Sequence, residues 1–472
     1  MATRQARFTT GSTMRHVVVM TLTGSLGLTF MFLVDFATLF WVSRLGEESY
    51  IAAVGFAWVI QFFTISAGIG LAIAATALVS RAIGQEDWHR ARCEATGAMT
   101  LTVIVQAVVA ALVLAFRDPL LALLGAEGYT AEVASRFLLL SVPALPVMAL
   151  GMAAGAILRA AGDAWRSMLV TLSAGLIAMV IDPFLILEGE VMGVTLGLGL
   201  GVDGAALGTA MSRIATGALG LWFVVRIHDL AVKPTVRDVR AILQPFARIA
   251  APAIATQLST PFGNFVLTAL IAPFGDDAVA GWSVVSRLTV LAFGGIFALS
   301  GAIGGIIGQN YGAALMERVR CTYRDALIFC ALYTLAAWML LALGAGWIAG
   351  VFGVDGTGAD VVLAFGRVAA GAFVFTGAIF VANAAFNNLG RPLWSTGVNW
   401  LRDGVVIWPV SALMAGSFAA PGVVYGQALA GVIVGILATI IAWRFIARLD
   451  PPRCPTVPLP ADPGAPTSAE NP

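Results

Sequence analysis

VVVMTLTGSLGLTFMFLVDFATLFW, residues 17–41, carries one ionisable side chain, Asp35, in a run long enough to cross ~30 Å of hydrocarbon as an α-helix. It is too long for the apolar core of a signal peptide, and no small-residue cleavage site follows it, so it reads as a retained first membrane helix. Similar runs recur to the end of the chain and predict helices near 17–43, 51–80, 96–116, 133–158, 166–187, 202–226, 246–273, 279–308, 325–350, 361–388, 393–414 and 421–447. Backbone polar groups in lipid must be satisfied inside their own segment, and runs this long without alternation exclude barrel strands. The predicted fold class is therefore an all-α integral membrane protein of twelve transmembrane helices. Composition agrees: 59% of the 472 residues are hydrophobic and 11% charged, against ~25% charged in soluble domains.

Basic residues fix the expected sidedness. Arg4, Arg7 and Arg15 precede helix one, and arginines cluster in the loops after even-numbered helices, whereas acids such as Glu47, Asp118, Glu188, Asp276 and Asp355 mark the others. By the positive-inside rule both termini are expected in the cytoplasm, in a multi-pass protein of the cell inner (plasma) membrane. Residues 449–472, rich in Pro and Ala, read as a disordered cytoplasmic tail.

The chain also repeats itself. Asp35 is followed eleven residues later by Gly46 and an acidic pair, and Asn264 eleven residues later by Gly275 and an acidic pair. IGQEDWHRARC (83–93) is echoed by IGQNYGAALMERVRC (307–321), and Gly162 and Ser167 recur as Gly390 and Ser395. A shift of six helices keeps both copies in one orientation, so two pseudo-symmetric six-helix lobes are expected around a central cavity. The predicted lobes are 1–226 and 246–448, joined by a basic linker at 227–245.

Several function classes fall away. The four cysteines show no CxxC, the three histidines sit at span edges, and the single lysine, Lys233, precedes a proline, so zinc, disulfide and phosphate-loop chemistry have no footing. A net charge of +1 offers no nucleic-acid surface. No enzyme and no cofactor are expected; the partners are a small organic substrate and the lipid bilayer, and the chain is expected to work as a monomer.

The stretches RLGEESYIAAVGFA (44–57), RAIGQEDWHRAR (81–92), ILRAAGDA (157–164), DPFLI (182–186), GVDGAALGTAMSR (201–213), VVSRL (284–288) and GQNYGA (308–313) together resemble the multidrug and toxic compound extrusion (MATE) family. That resemblance implies an antiporter which exports organic, often cationic, compounds in exchange for protons or sodium ions by alternating access. It further implies an ion site in the first lobe, using acids of helices one and five, an Asn one turn before the helix-five Asp, and a Thr of helix six. Asp182 and Thr209 match that pattern. The usual helix-one Asp falls on Thr38, with Asp35 one turn earlier, and the Asn position is Ala178, which removes an amide oxygen that sodium would use.

Ionisable groups within spans cost several kcal/mol and usually face a cavity. Asp35 and Asp182, with Thr38 and Thr209, are the candidate coupling site, serving protons or a sodium ion held by Asp35, Asp182 and Thr209; no other metal is expected. Gln257, Thr260, Asn264, Asn383, Phe36 and Trp282 are candidates for the substrate cavity. Arg402 and Asp403, adjacent and so expected to point about 100° apart, are candidates with Arg287 for a structural ion network. Two rival readings are a lipid-linked or polar-metabolite exporter or flippase of related architecture, which favours a basic cavity, and a non-transporting scaffold or receptor, which gains nothing from buried acids.

Overall fold

The computed structural model describes residues 5–450 apart from Met192 and Gly193; the side chains of Phe32, Asp35, Phe36, Glu48 and residues 190–196 also lie outside the described residues. The first half comprises α1 (Thr13–Ser43), α2 (Glu48–Gly84), α3 (Trp88–Ala115), the short α4 (Arg117–Leu123), α5 (Gly128–Ser141) and α6 (Leu145–Ala160), then α7 (Ala164–Ile186), a hairpin of β1 (Glu188–Val191) and β2 (Val194–Leu198), and α8 (Gly201–Trp222). The second half has α9 (Val236–Ile271), α10 (Asp276–Gly312), α11 (Met316–Val351), α12 (Gly356–Ala364), α13 (Ala370–Asn388), α14 (Pro392–Trp400) and α15 (Ile407–Ala447). A 3₁₀ turn joins α5 to α6 where Pro143 interrupts the ladder, and π-helical turns join α12 to α13 and α14 to α15, so each pair is one continuous rod.

Ten continuous helical stretches among the described residues are long and apolar enough to cross a bilayer, residues 392–447 counting once. At 56 residues that rod would be about 80 Å long, well beyond one crossing. Positive-φ backbone at Ala419 (φ 54°, ψ −140°), shortly before Pro421, divides it into two. With α1 the spans number twelve. The first six pack among themselves, as do the last six, and the bundles meet where α1 packs on α10 and α2 packs on α9 and α10.

Three details depart from the sequence reading. The seventh membrane helix starts at Val236, inside the expected 227–245 linker, because Thr235 caps it by accepting from the Asp238 amide (3.2 Å), so helix outlasts hydrophobicity at the membrane surface. The connection between α7 and α8 is an antiparallel hairpin pairing Glu188 with Leu198. α10 bends at Phe293 (φ −106°, ψ 15°), beside Gly294 and Gly295 and without a proline.

Candidate functional site

Asp182 lies near the end of α7, one residue before Pro183, and is 1% exposed. Its Oδ2 accepts the hydroxyl of Thr38 on α1. Its Oδ1 has no partner among the described residues and faces Gly208 of α8, where a side chain's Cβ would sit 2.1 Å from that oxygen. Leaving a buried carboxylate oxygen unsatisfied is costly, and a proton or a cation on it would remove that cost.

The predicted partners of Asp182 divide. Thr38 is a direct donor. Thr209 is half-buried and returns its hydroxyl to the Ala205 carbonyl of its own helix (2.9 Å), so the α8 position against the carboxylate is its neighbour Gly208. Asp35 belongs to α1, and its side chain lies outside the described residues, as does that of Phe36. Ala178, one turn before Asp182, is buried and contributes no oxygen.

On α9, Gln257 and Thr260 are half-buried and Asn264 is exposed. Two other cavity candidates need correction. Trp282 is 5% exposed and sits in the second-lobe core with its indole donating to Thr268 Oγ1 (3.1 Å), because burying so large a ring outweighs presenting it. Asn383 is buried inside the lobe, where its Oδ1 accepts from Asn399 Nδ2 (3.0 Å) and its carbonyl from Ser395.

Arg402 and Asp403 form a buried bidentate pair, Nε to Oδ1 at 2.7 Å and Nη2 to Oδ2 at 2.9 Å. They do not point apart as expected. Both occupy the π-helical turn between α14 and α15, where successive side chains are closer in azimuth than on an α-helix. Ser259 of α9 adds a third bond to Asp403 (3.0 Å), with Gly263 making room beside it. This carboxylate is neutralised from within its own lobe. Arg287 is exposed on α10.

Arg213 is not among the residues expected to form the site. It is buried in the first lobe, where Nη1 donates to the Ser141 carbonyl (2.8 Å) and Nη2 to Gln61 Oε1, while Gln61 Nε2 reaches Ser141 Oγ (2.9 Å). The network ties α2, α5 and α8 together; polar residues at Gln61 and Ser141 within apolar runs were its only signal.

At the face where the described chain begins and ends, here the terminal face, the lobes are in close contact. Arg81 of α2 donates to the Asn388 carbonyl through Nε (2.9 Å) and Nη2 (2.6 Å), and Gln309 of α10 donates to the Ala160 carbonyl (2.6 Å). Glycines allow this approach: a Cβ at Gly84 would lie 2.0 Å from the Gln309 carbonyl oxygen, and one at Gly308 1.8 Å from Ser80 Oγ. Just below, Asp163 caps α7. Burial alone would raise its pKa, but hydrogen bonds from His228, the Arg166 amide and the Arg166 guanidinium prevail and hold it well below the usual carboxylate range.

A twelve-helix, two-lobed membrane protein with a buried acid and a sealed seam on one face has the design of a carrier, and a family model described as MatE matches residues 25–184 and 252–413. The chain belongs to the MatE family. Among curated relatives of this MatE protein, an "FAD transporter" of Shewanella oneidensis is 25% identical over 436 residues, covering 91% of this chain and 94% of the relative. "Multidrug export protein MepA" of Staphylococcus aureus is 22% identical over 419 residues, covering 87% and 89%. The fold matches a MATE crystal structure in complex with MaD3S (TM-score 0.85, 22% identity, 95% and 99% covered) and an outward-facing multidrug resistance MATE transporter (0.83, 22%, 95% and 99%). This MatE protein is a multi-pass membrane transporter and not an enzyme.

Proposed function

We propose that this protein is a secondary active antiporter that exports organic compounds in exchange for protons or sodium ions. The observation that carries the reading is Asp182: buried in the first lobe, with one oxygen held by Thr38 and the other unpartnered against Gly208. Uptake of a proton or sodium ion changes the charge of a group that two helices share, which biases one lobe conformation over another. A proton needs no set of oxygen ligands as sodium does, so the absence of an amide at Ala178 and the turning of the Thr209 hydroxyl to the Ala205 carbonyl favour proton coupling. The positive-inside rule puts the terminal face in the cytoplasm, and the seam there, closed by Arg81, Gln309 and the glycines, supports an outward-facing state. An acid in the coupling lobe, half-buried Gln257 and exposed Asn264 on α9 suit cationic substrates.

The test is reconstituted efflux of a cationic dye under separate proton and sodium gradients. Asp182→Asn should abolish gradient-driven export while preserving the folded protein. Undiminished coupled transport in that variant refutes the assignment. The relative named as an FAD transporter supports a second reading, export of a polar metabolite. Including FAD beside the dye in the same vesicles separates the two.

A further inference from the structure

The residues before α1 would be expected to trail into water, yet among the described ones Ala6 and Phe8 are buried. Ala6 (3% exposed) joins an apolar cluster drawn mainly from the first lobe and Phe8 (1% exposed) one drawn mainly from the second, its ring edge-on to His16. The Phe8 amide donates to Gln309 Oε1 (2.9 Å), the side chain whose nitrogen bonds the Ala160 carbonyl of the first lobe. Arg7 donates to the Gly162 carbonyl (2.9 Å) in the first lobe. From the second lobe Arg318 donates to the carbonyls of Phe8 (2.7 Å), Thr10 (3.1 Å) and Gly11 (2.9 Å).

We propose that residues 5–12 form a strap that holds the terminal face shut and must leave at least one lobe before that face can open. The argument is one of reach. Two residues of fully extended chain span ~7 Å, so Ala6 and Phe8 cannot both stay seated once the lobes part by more than a few ångströms, and a passage for an organic molecule needs more. Strap withdrawal therefore belongs to the opening step, and the free energy of seating Phe8 and satisfying Arg318 counts toward the closed state. Gln309 is the positioning residue, since its one amide joins strap, α10 and the first lobe.

The strap rests on alternating access, and the test keeps the two ideas apart. Spin labels at Trp165→Cys and Leu315→Cys, exposed positions of opposite lobes at the terminal face, and at Tyr129→Cys and Phe352→Cys at the opposite face, are introduced in full-length protein lacking Cys93, Cys321, Cys330 and Cys454. Double electron–electron resonance in nanodiscs then reports both faces. Phe8→Ala and Arg318→Gln should raise the population of long terminal-face distances roughly tenfold, with matching shortening at the opposite face, and Phe8→Leu should restore most of the closed population. Wild-type protein compared at low and high pH, with and without sodium, is the reference for alternating access. A reference that switches, with both strap variants keeping the wild-type balance, overturns the strap and leaves alternating access standing. Broadening of the terminal-face pair alone, without change at the opposite face, also overturns it, because the segment would then only order its own loops.

Discussion

Replacing Gly84 by alanine tests the closed seam most directly. Its Cβ would lie 2.0 Å from the Gln309 carbonyl oxygen, where ordinary contacts begin at 3.4 Å, and the obstacle is backbone, which cannot rotate away. α2 and α10 must therefore separate at the terminal face by the difference between those distances, loosening the bonds from Arg81 to Asn388 and from Gln309 to Ala160. Overpacking of this kind costs about 1–3 kcal/mol, and the cost falls only on the state in which the face is shut. A bias of that size changes the ratio of closed to open molecules roughly 5- to 150-fold. The assay is a spin-label distance across the terminal face, with thermal denaturation in the same detergent to show that the fold persists. A distance distribution and melting temperature both equal to those of wild type would mean that the helices do not approach as drawn, and the reasoning about the seam would fail.

Three further outcomes follow from single sites. Gly208→Ala places a methyl on Asp182 Oδ1 and should cut gradient-driven export about tenfold or more at near-normal protein levels; normal coupling would show that the space beside Oδ1 is not used. Asp403→Asn strips the counter-charge from buried Arg402 and should cost ~3–5 kcal/mol, seen as a large drop in melting temperature, whereas removing both charges with Arg402→Met and Asp403→Leu should recover much of it. Asp163 has a depressed pKa in the fold, so its stabilisation is present at neutral pH and is lost as pH falls below the ordinary carboxylate value of ~3.9. Asp163→Asn should therefore lower the melting temperature at pH 7, and the gap to wild type should narrow in acid; a gap independent of pH would rule out the charge.

What the chain decided by itself is what hydrophobicity and length decide locally. The apolar runs set twelve crossings, because lipid offers no partner for an unpaired backbone, and the echo of IGQEDWHRARC in IGQNYGAALMERVRC set two like halves. Asp182 stood out for the same reason: a carboxylate in such a run is costly to bury without a partner, and Thr38 supplies one. Which way each helix turns was not legible. Lipid tails and a protein core are equally apolar, so periodicity that would mark a buried face in a soluble helix is weak here. Packing alone therefore put Trp282 and Asn383 inside their lobe, set Gly208 rather than Thr209 against Asp182, and closed Arg402 on Asp403 through a π-helical turn. Only the tertiary structure brought Ala6 and Phe8 into the two cores, since their burial depends on lobes built from residues hundreds of positions away.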